Sequence, residues 1–330
     1  MHGTVLVTGG AGFIGSHIVE GLAGRGYSVI ALDNLFLGRP ENLKGIMERY
    51  PGRVRFVQGD VLNEELLFKL VRENDVIAIL HQAAVSSAPM FIPDPRKGVE
   101  ANVLGFLNVL EAARRFDVPK VVYASTSSVY NVYTPPHRED MVIKPRTFYE
   151  YSLWTREHAA WIYWDFYRIE TIGLRYFSIY GPREEHKGRY ANVISQFIWK
   201  ILRGEPPVIF GDGSQTRDFT FVKDVVKANI LAMEKKGIGG EVFNVGTGKE
   251  TTFNEVVKLI NQVLGTNIQP KYVPNPIKNY VYRTGADTTK AEKILGFKAE
   301  TDLLTGIRIT AKYYKKLYEE TPDAIPRIKD

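Results

Sequence analysis

Short apolar runs alternate along the first half of the chain with longer segments whose apolar residues recur every three or four positions. Residues 4–8, 28–32, 54–57, 76–80 and 121–124 read as short buried strands. Between the first two, residues 12–25 carry Phe13, Ile14, His17, Ile18 and Leu22 on one side of a helix. Val99, Val103, Phe106, Leu110 and Ala113 step by four, three, four and three, which predicts one face of a long helix. Repeated β-α units of this kind predict an α/β fold with a doubly wound parallel sheet. The second half is less regular. Residues 149–167 predict a helix crowded with aromatics, and 171–176 a further strand. From about Gly181 the pattern changes to loops, short strands and separate helices over 193–202 and 253–264, a smaller C-terminal α/β lobe. Leu303, Ile307, Thr310, Tyr314 and Leu317 mark a final amphipathic helix, and residues 321–330 read as a loose tail.

Composition narrows the chemistry. The 330 residues include no cysteine, which excludes disulfides, thiol nucleophiles and thiolate-bound metal clusters. No His, Asp and Glu set has metal-ligand spacing, so no metal is expected. No apolar run approaches the roughly 18 residues of a membrane span. Met1-His2-Gly3-Thr4 has no basic segment ahead of an apolar one, as a signal peptide would. A soluble, cytoplasmic protein with no membrane partner is the expectation. The net charge of +6 is spread along the chain rather than gathered in a block, which argues against nucleic acid and leaves an anionic small molecule open.

The sharpest local signal is Thr8-Gly9-Gly10-Ala11-Gly12-Phe13-Ile14-Gly15, between the first strand and the first helix. Gly9, Gly12 and Gly15 have the spacing that a pyrophosphate cradle needs: one glycine for the turn, one for close approach of the backbone, one for helix–strand packing. The helix N-terminus then offers N–H donors to phosphate. Asp33 ends the next strand, 18 residues beyond Gly15, where a carboxylate can bind a ribose 2′-hydroxyl and repel a 2′-phosphate. This predicts a Rossmann-type sheet binding NAD rather than NADP; Arg39 nearby is a minor counter-signal.

Further segments follow in order: Asp33-Asn34-Leu35 with Gly38-Arg39, Gly59-Asp60-Val61, His81-Gln82-Ala83-Ala84, Asn102, Ser125-Thr126-Ser127-Ser128-Val129-Tyr130, Arg175-Tyr176-Phe177, Tyr180-Gly181-Pro182-Arg183, Gly211-Asp212-Gly213, Arg217-Asp218-Phe219 and Phe243-Asn244-Val245-Gly246-Thr247-Gly248. Together they resemble the extended short-chain dehydrogenases/reductases. Within that family they are most similar to the NAD-dependent nucleotide-sugar epimerases of the UDP-glucose/UDP-galactose 4-epimerase type, over residues 4 to about 298. The resemblance implies that residues 1–180 bind NAD, with returning segments near 217–246, and that 181–330 mainly hold a nucleotide sugar. It implies cofactor contacts from Gly9, Gly12, Phe13, Ile14, Gly15, Asp33, Asn34, Gly38, Asp60, Val61, Ala83, Ala84, Asn102 and Tyr149. Thr126 and Tyr149 would be catalytic, Tyr149 as general base and Thr126 on the sugar 4-oxygen. Thr126, Phe177, Ser178, Asn192, Val193, Arg217 and Lys278 would contact the substrate. Paired helices, the aromatic one and the one through 99–113, imply a homodimer.

The chain departs from that pattern at three places. The family expects Tyr-x-x-Ser-Lys, and this chain has Tyr149-Glu150-Tyr151-Ser152-Leu153. A cation about 4 Å from the phenol at an effective dielectric of about 20 is worth roughly 4 kcal/mol, or roughly three pKa units. Without it an ordinary tyrosine is about one part in a thousand ionised at pH 7. Arg156, one turn further on, and the positive nicotinamide are the possible substitutes. Ser178 stands where the family has asparagine, and Ile277 where it has an arginine. A catalytically silent NAD or nucleotide-sugar binder therefore remains open, as does another oxidoreductase or a dehydratase on the same scaffold. The dehydratases and decarboxylases need a carboxylic acid just after the catalytic Ser/Thr, where this chain has Ser127 and Ser128.

Overall fold

A computed structural model describes residues 3–277 and 280–328. The first half follows the alternation read from the sequence: β1 (Thr4–Thr8), α1 (Phe13–Gly24), β2 (Ser28–Asp33), α2 (Glu41–Arg49), β3 (Val54–Gln58), α3 (Glu64–Arg72) and β4 (Val76–His81). A helical rod comes next, made of α4 (Pro95–Val99), a π-helical segment (Glu100–Leu104) and α5 (Gly105–Arg115). Then come β5 (Lys120–Thr126), α6 (Phe148–Tyr167) and β6 (Glu170–Tyr176).

The second half contributes β7 (Ile179–Tyr180), α7 (Val193–Leu202), β8 (Val208–Phe210), β9 (Thr216–Arg217), β10 (Thr220–Phe221) and α8 (Val222–Glu234). It continues with β11 (Val242–Val245), β12 (Thr251–Thr252), α9 (Phe253–Leu264), β13 (Lys271–Val273) and α10 (Leu303–Glu320). Seven strands form one parallel sheet in the order β11-β6-β5-β4-β1-β2-β3. The chain direction of this order reverses between β1 and β4, the switch point where open α/β sheets leave a crevice at their strand ends.

The strands are apolar on both faces because helices cover both. On one side Val5, Val7, Val29, Ala31 and Ile172 pack against α1 and α8. On the other Leu6, Ile30, Ile79 and Val121 pack with Phe106, Val109 and Leu110 of α5. The helix α8 and strand β11 return from the second half to this sheet, while α7, α9 and α10 enclose a separate core around Phe197, Trp199, Val256, Ile307 and Tyr314.

Two local expectations are corrected. The stripe Val99–Val103–Phe106 does not run unbroken into the core: the π-helical segment shifts the phase, so Asn102 is fully buried while Val99 and Val103 are only partly so. Nor is the C-terminus loose over the described residues. Ile325 is buried in the α7–α9–α10 core, and the Arg203 guanidinium donates to the carbonyls of Ile325 and Pro326. Among the described residues no helix is long and apolar enough to cross a membrane.

Candidate active site

A cavity of about 890 Å³ runs along the carboxyl ends of β1, β2, β4, β5 and β6. That is at the upper end of the roughly 300–1,000 Å³ of small-molecule sites.

At one end sits the glycine turn. Gly9 adopts φ +68°, and a Cβ on it would lie 2.8 Å from the Ala83 nitrogen. A Cβ on Gly15 would lie 1.9 Å from the Gly9 carbonyl oxygen, so only hydrogen fits there. No side chain caps α1, and Phe13, Ile14 and Gly15 of its first turn line the cavity. First-turn amides left without a side-chain cap form a ready anion site.

Asp33, at the end of β2, accepts from the Ala11 N–H at 3.0 Å and the Leu35 N–H at 2.8 Å. Burial pushes its carboxyl up, and these N–H donors oppose that. A Cβ on Gly38 would approach the carboxylate to 2.5 Å, so a glycine is needed for the loop to close over it. Asn34 and Asp60 are joined side chain to side chain at 2.7 Å, and Val61 lies beside them in the wall.

In the middle of the cavity, Ala83 and Ala84 follow β4 and line the path. Asn102 stands behind them. Its side chain accepts from the Val85 N–H at 2.8 Å and donates to the Val85 carbonyl at 3.1 Å and to the Ser152 hydroxyl at 3.0 Å. It thus fixes the loop after β4 against α6 rather than lining the cavity itself.

At the far end, Thr126 closes β5 and Tyr149 lies in the first turn of α6. Both line the cavity, and the Thr126 side chain is hydrogen-bonded to Tyr149. Burial pushes the Tyr149 phenol up; Thr126 and the Arg156 guanidinium pull it down. The strand end carrying Thr126 is held by a buried network. Ser125 donates to Glu157 at 2.6 Å, Arg175 grips the same carboxylate at 2.6 and 2.9 Å, and Arg175 also donates to the Tyr130 hydroxyl at 2.6 Å. Both charges of this pair are almost fully buried, so losing one partner costs about 3–5 kcal/mol. Leu153, 2% exposed, forms part of the wall one turn after Tyr149.

The expected substrate residues are spread more widely. Ser178 lines the cavity in a left-handed conformation, φ 38°, unusual for a residue with a side chain. Phe177 is fully buried between Tyr130 and His137 and is absent from the cavity wall. Asn192 caps α7 by accepting from the Ile194 N–H at 3.0 Å, and Val193 begins that helix. Arg217 lies on β9 between the rings of Phe253 and Tyr280, with its Nη1 donating to the carbonyls of Thr216 and Tyr282. Asn192, Val193 and Arg217 belong to the second half of the chain and do not line this cavity. Lys278 lies outside the described residues.

Lys187 and Tyr190 are among the lining residues that the sequence did not single out. Lys187 sits over the Phe13 ring at 5.5 Å and donates to the buried Glu184 at 2.8 Å; Tyr190 lies near it. Both fall in an irregular segment, Glu185–Tyr190, where no periodic pattern marks an inward residue. Among the described residues, no group of three or more His, Asp or Glu side chains could hold a metal ion.

The glycine cradle, the buried acid at the end of β2 and the Thr–Tyr pair on β5 and α6 define a dinucleotide-dependent site on a doubly wound sheet. The sequence model of the NAD dependent epimerase/dehydratase family matches residues 5–246, and the chain belongs to that family. It is an extended short-chain dehydrogenase/reductase.

A UDP-glucose 4-epimerase from Mycolicibacterium smegmatis is 36% identical over 314 residues, covering 94% of this chain and 98% of the relative. The crystal structure of a Thermotoga maritima UDP-glucose 4-epimerase with UDP-glucose superposes with a TM-score of 0.88 at 35% identity, covering 95% of this chain and 99% of that one. A Bacillus cereus UDP-glucuronic acid 4-epimerase, solved with UDP-glucuronic acid and NAD, gives a TM-score of 0.86 at 29% identity, covering 96% and 100%. The family is NAD-dependent, and the glycine turn of this chain closes against Ala83 and onto α1 only because Gly9 and Gly15 carry no Cβ.

Proposed function

We propose that the protein epimerises a nucleotide sugar at C4, of the UDP-glucose/UDP-galactose type, through a 4-keto sugar. The carrying observation is the hydrogen-bonded Thr126–Tyr149 pair in the wall of the same cavity whose other end is the phosphate cradle. NAD, which the Gly9–Gly15 turn and Asp33 would hold, would supply both the hydride acceptor and the hydride donor at the sugar's C4, so that the reaction has no net redox change. The chain's own residues move the proton. The Tyr149 phenolate takes the O4 proton as C4 becomes a carbonyl, and the resulting phenol gives it back when C4 is reduced. The Thr126 hydroxyl holds O4 and donates to the carbonyl oxygen. A tyrosine in this role must be ionised well below its ordinary pKa of about 10. Residues 1–180, with returns near 217–246, carry the cofactor; 181–330 mainly carry the nucleotide sugar, with Asn192, Val193 and Arg217 on its diphosphate side and Ser178 at the diphosphate contact where the family has asparagine.

Elimination or decarboxylation would need a further acid beside Thr126, and Ser127 and Ser128 occupy those positions in the wall. A second reading, a binding protein without turnover, is favoured by one observation: the apolar Leu153 side chain in the wall beside Tyr149.

The outer face of α6 supports a homodimer. Tyr151, Trp161, Ile162 and Phe166 are large apolar side chains exposed along it.

The test is to incubate the protein with NAD and UDP-galactose and follow the anomeric signals by NMR. UDP-glucose should form, and Tyr149→Phe should slow the conversion by about 10²–10⁴-fold. NAD binding with no change in UDP-galactose would support the binding-protein reading. A panel including N-acetylhexosamine and uronic acid forms of the UDP-sugar identifies the natural substrate.

A further inference from the structure

The helix α6 carries two unusual side chains on one face. Tyr149, Leu153 and Arg156 follow one another at i, i+4 and i+7, a continuous stripe turned toward the sheet. Leu153 closes the cavity wall, and Arg156 lies behind it, fully buried.

The guanidinium has no carboxylate partner among the described residues. Its Nε donates to the Asn102 carbonyl at 2.5 Å and its Nη2 to the Ala83 carbonyl at 3.0 Å, while Nη1 is buried without a hydrogen-bond partner. Its carbon lies 5.7 Å from the centre of the Phe106 ring. Burying a charge this way costs several kcal/mol unless a nearby anion or dipoles repay it. Two carbonyls and a ring face repay part of it. The nearby ionisable groups are Tyr149 on α6 itself, Tyr123 on β5 and His81 on β4, and none of them is a carboxylate. Glu157, the next residue, is committed to Arg175 and Ser125. On the α4–π segment, Lys97 and Glu100 are exposed at the rim of the cavity, where solvent screens their charges and Asp94 lies 4.0 Å from the Lys97 ammonium. Glu150, beside Tyr149, accepts from the Arg146 N–H.

We propose that Arg156 is the displaced cation of this site: a positioning residue that, from behind Leu153, stabilises the Tyr149 phenolate and holds the Ala83 and Asn102 backbones against the cofactor path. The inference rests on the base role proposed above for Tyr149. Arginine side chains in helices lean toward the N-terminus, which carries the guanidinium back along the stripe toward Tyr149. Burial pulls Arg156 down and a Tyr149 phenolate pulls it back up, so the guanidinium keeps its charge where the phenol ionises. The direction of its effect on Tyr149 is downward, against the burial that pushes the phenol up. Residues seven apart on a helix are about 10 Å apart along its axis, and a unit charge at about that distance, at an effective dielectric of about 20, changes an ionisation constant by about 15-fold.

The test needs no bound cofactor for its first readout. The near-UV tyrosinate absorbance of the full chain, minus that of Tyr149→Phe, titrates Tyr149 alone. In Arg156→Met this titration should move to higher pH by about one unit or more. With NAD and UDP-galactose, the alkaline-rising limb of kcat should move with it, and KM should change less. Adding Leu153→Lys to Arg156→Met should bring both back, because it returns a cation to the stripe. If Arg156→Met does not fold, Arg156→Lys and the Leu153→Lys/Arg156→Met double variant carry the test; either should titrate near the unaltered chain. A folded Arg156→Met with an unmoved titration overturns the proposal, and so does lost activity without a shift in pH, which would mark a purely structural residue. Full turnover by Tyr149→Phe is a different failure, that of the base assignment itself.

Discussion

Replacing Asp33 by Asn separates two jobs that one carboxylate performs. The first is structural. Both oxygens are used within the protein, one by the Ala11 N–H and one by the Leu35 N–H. An amide has one acceptor oxygen, so one of those donors would face an NH₂ group instead. A buried donor left unpaired costs about 1–3 kcal/mol. Part of this is offset, because the variant no longer desolvates a charge, the effect that pushes Asp33 up. A net loss of about 1–2 kcal/mol in stability is expected, read as a lower urea midpoint at unchanged slope. The second job, which we propose for this carboxylate, is cofactor choice. A hydrogen bond from a ribose hydroxyl to a charged acceptor is worth about 1.5–3 kcal/mol, so NAD should bind roughly 10- to 150-fold more weakly. NADP, whose 2′-phosphate no longer meets a carboxylate, should gain relative to NAD. Titrating both dinucleotides into both proteins by protein fluorescence gives the four affinities. Unchanged NAD affinity in Asp33→Asn, or equal affinities for NAD and NADP in the unaltered chain, would refute this account of the site.

Three further outcomes follow from the same geometry. Gly15→Ala places a methyl 1.9 Å from the Gly9 oxygen, so the turn must open and NAD binding should fall below detection by the same titration, with the urea midpoint also lowered. His17 donates to the Pro182 carbonyl at 3.0 Å, and burial, then Arg183, push it down to about 4. Its folded-state value lies below the unfolded one, so its stabilising share is present above about pH 6.5 and is lost as the pH falls toward 4. The midpoint difference between the protein and His17→Gln should therefore shrink over that range, and parallel curves would contradict the assignment. Trp161→Glu with Phe166→Glu places charges on the exposed face of α6. Sedimentation should show a dimer for the unaltered chain and a monomer for the variant, and an unaltered monomer at micromolar concentration removes the dimer.

The glycine cradle is legible because its physics is local. The turn, the uncapped helix start and the acid at the next strand end all lie within 30 residues, and each is set by backbone geometry that only certain residue types allow. Tyr149 and Thr126 could be carried across from the family pattern, but their contact depends on β5 and α6 packing, 23 residues apart. Periodicity misjudged the rod through α4 and α5, because one π-helical segment turns Asn102 inward and Val103 away. It also left the last residues as a tail, although Ile325 packs into the core of α7, α9 and α10, the first of which lies more than a hundred residues earlier in the chain. Phe177 was placed near the substrate by its motif neighbours; its side chain turns into the core beside Tyr130.

The chain's own order of residues determined the sheet, the phosphate end of the site and the missing lysine at position 153, since each is written in spacing along one strand–helix unit. The tertiary structure alone decided what stands behind that gap. The sequence offers Arg156 as a substitute one turn further along α6, but not whether its guanidinium is buried or what holds it. Arg156 becomes a buried cation, held by the Ala83 and Asn102 carbonyls, only because α6 packs against β5, β6 and the π-helical rod beside the loop that follows β4. Burial is a property of the packed fold and not of the helix, and burial is what gives a distant charge its leverage on a phenol.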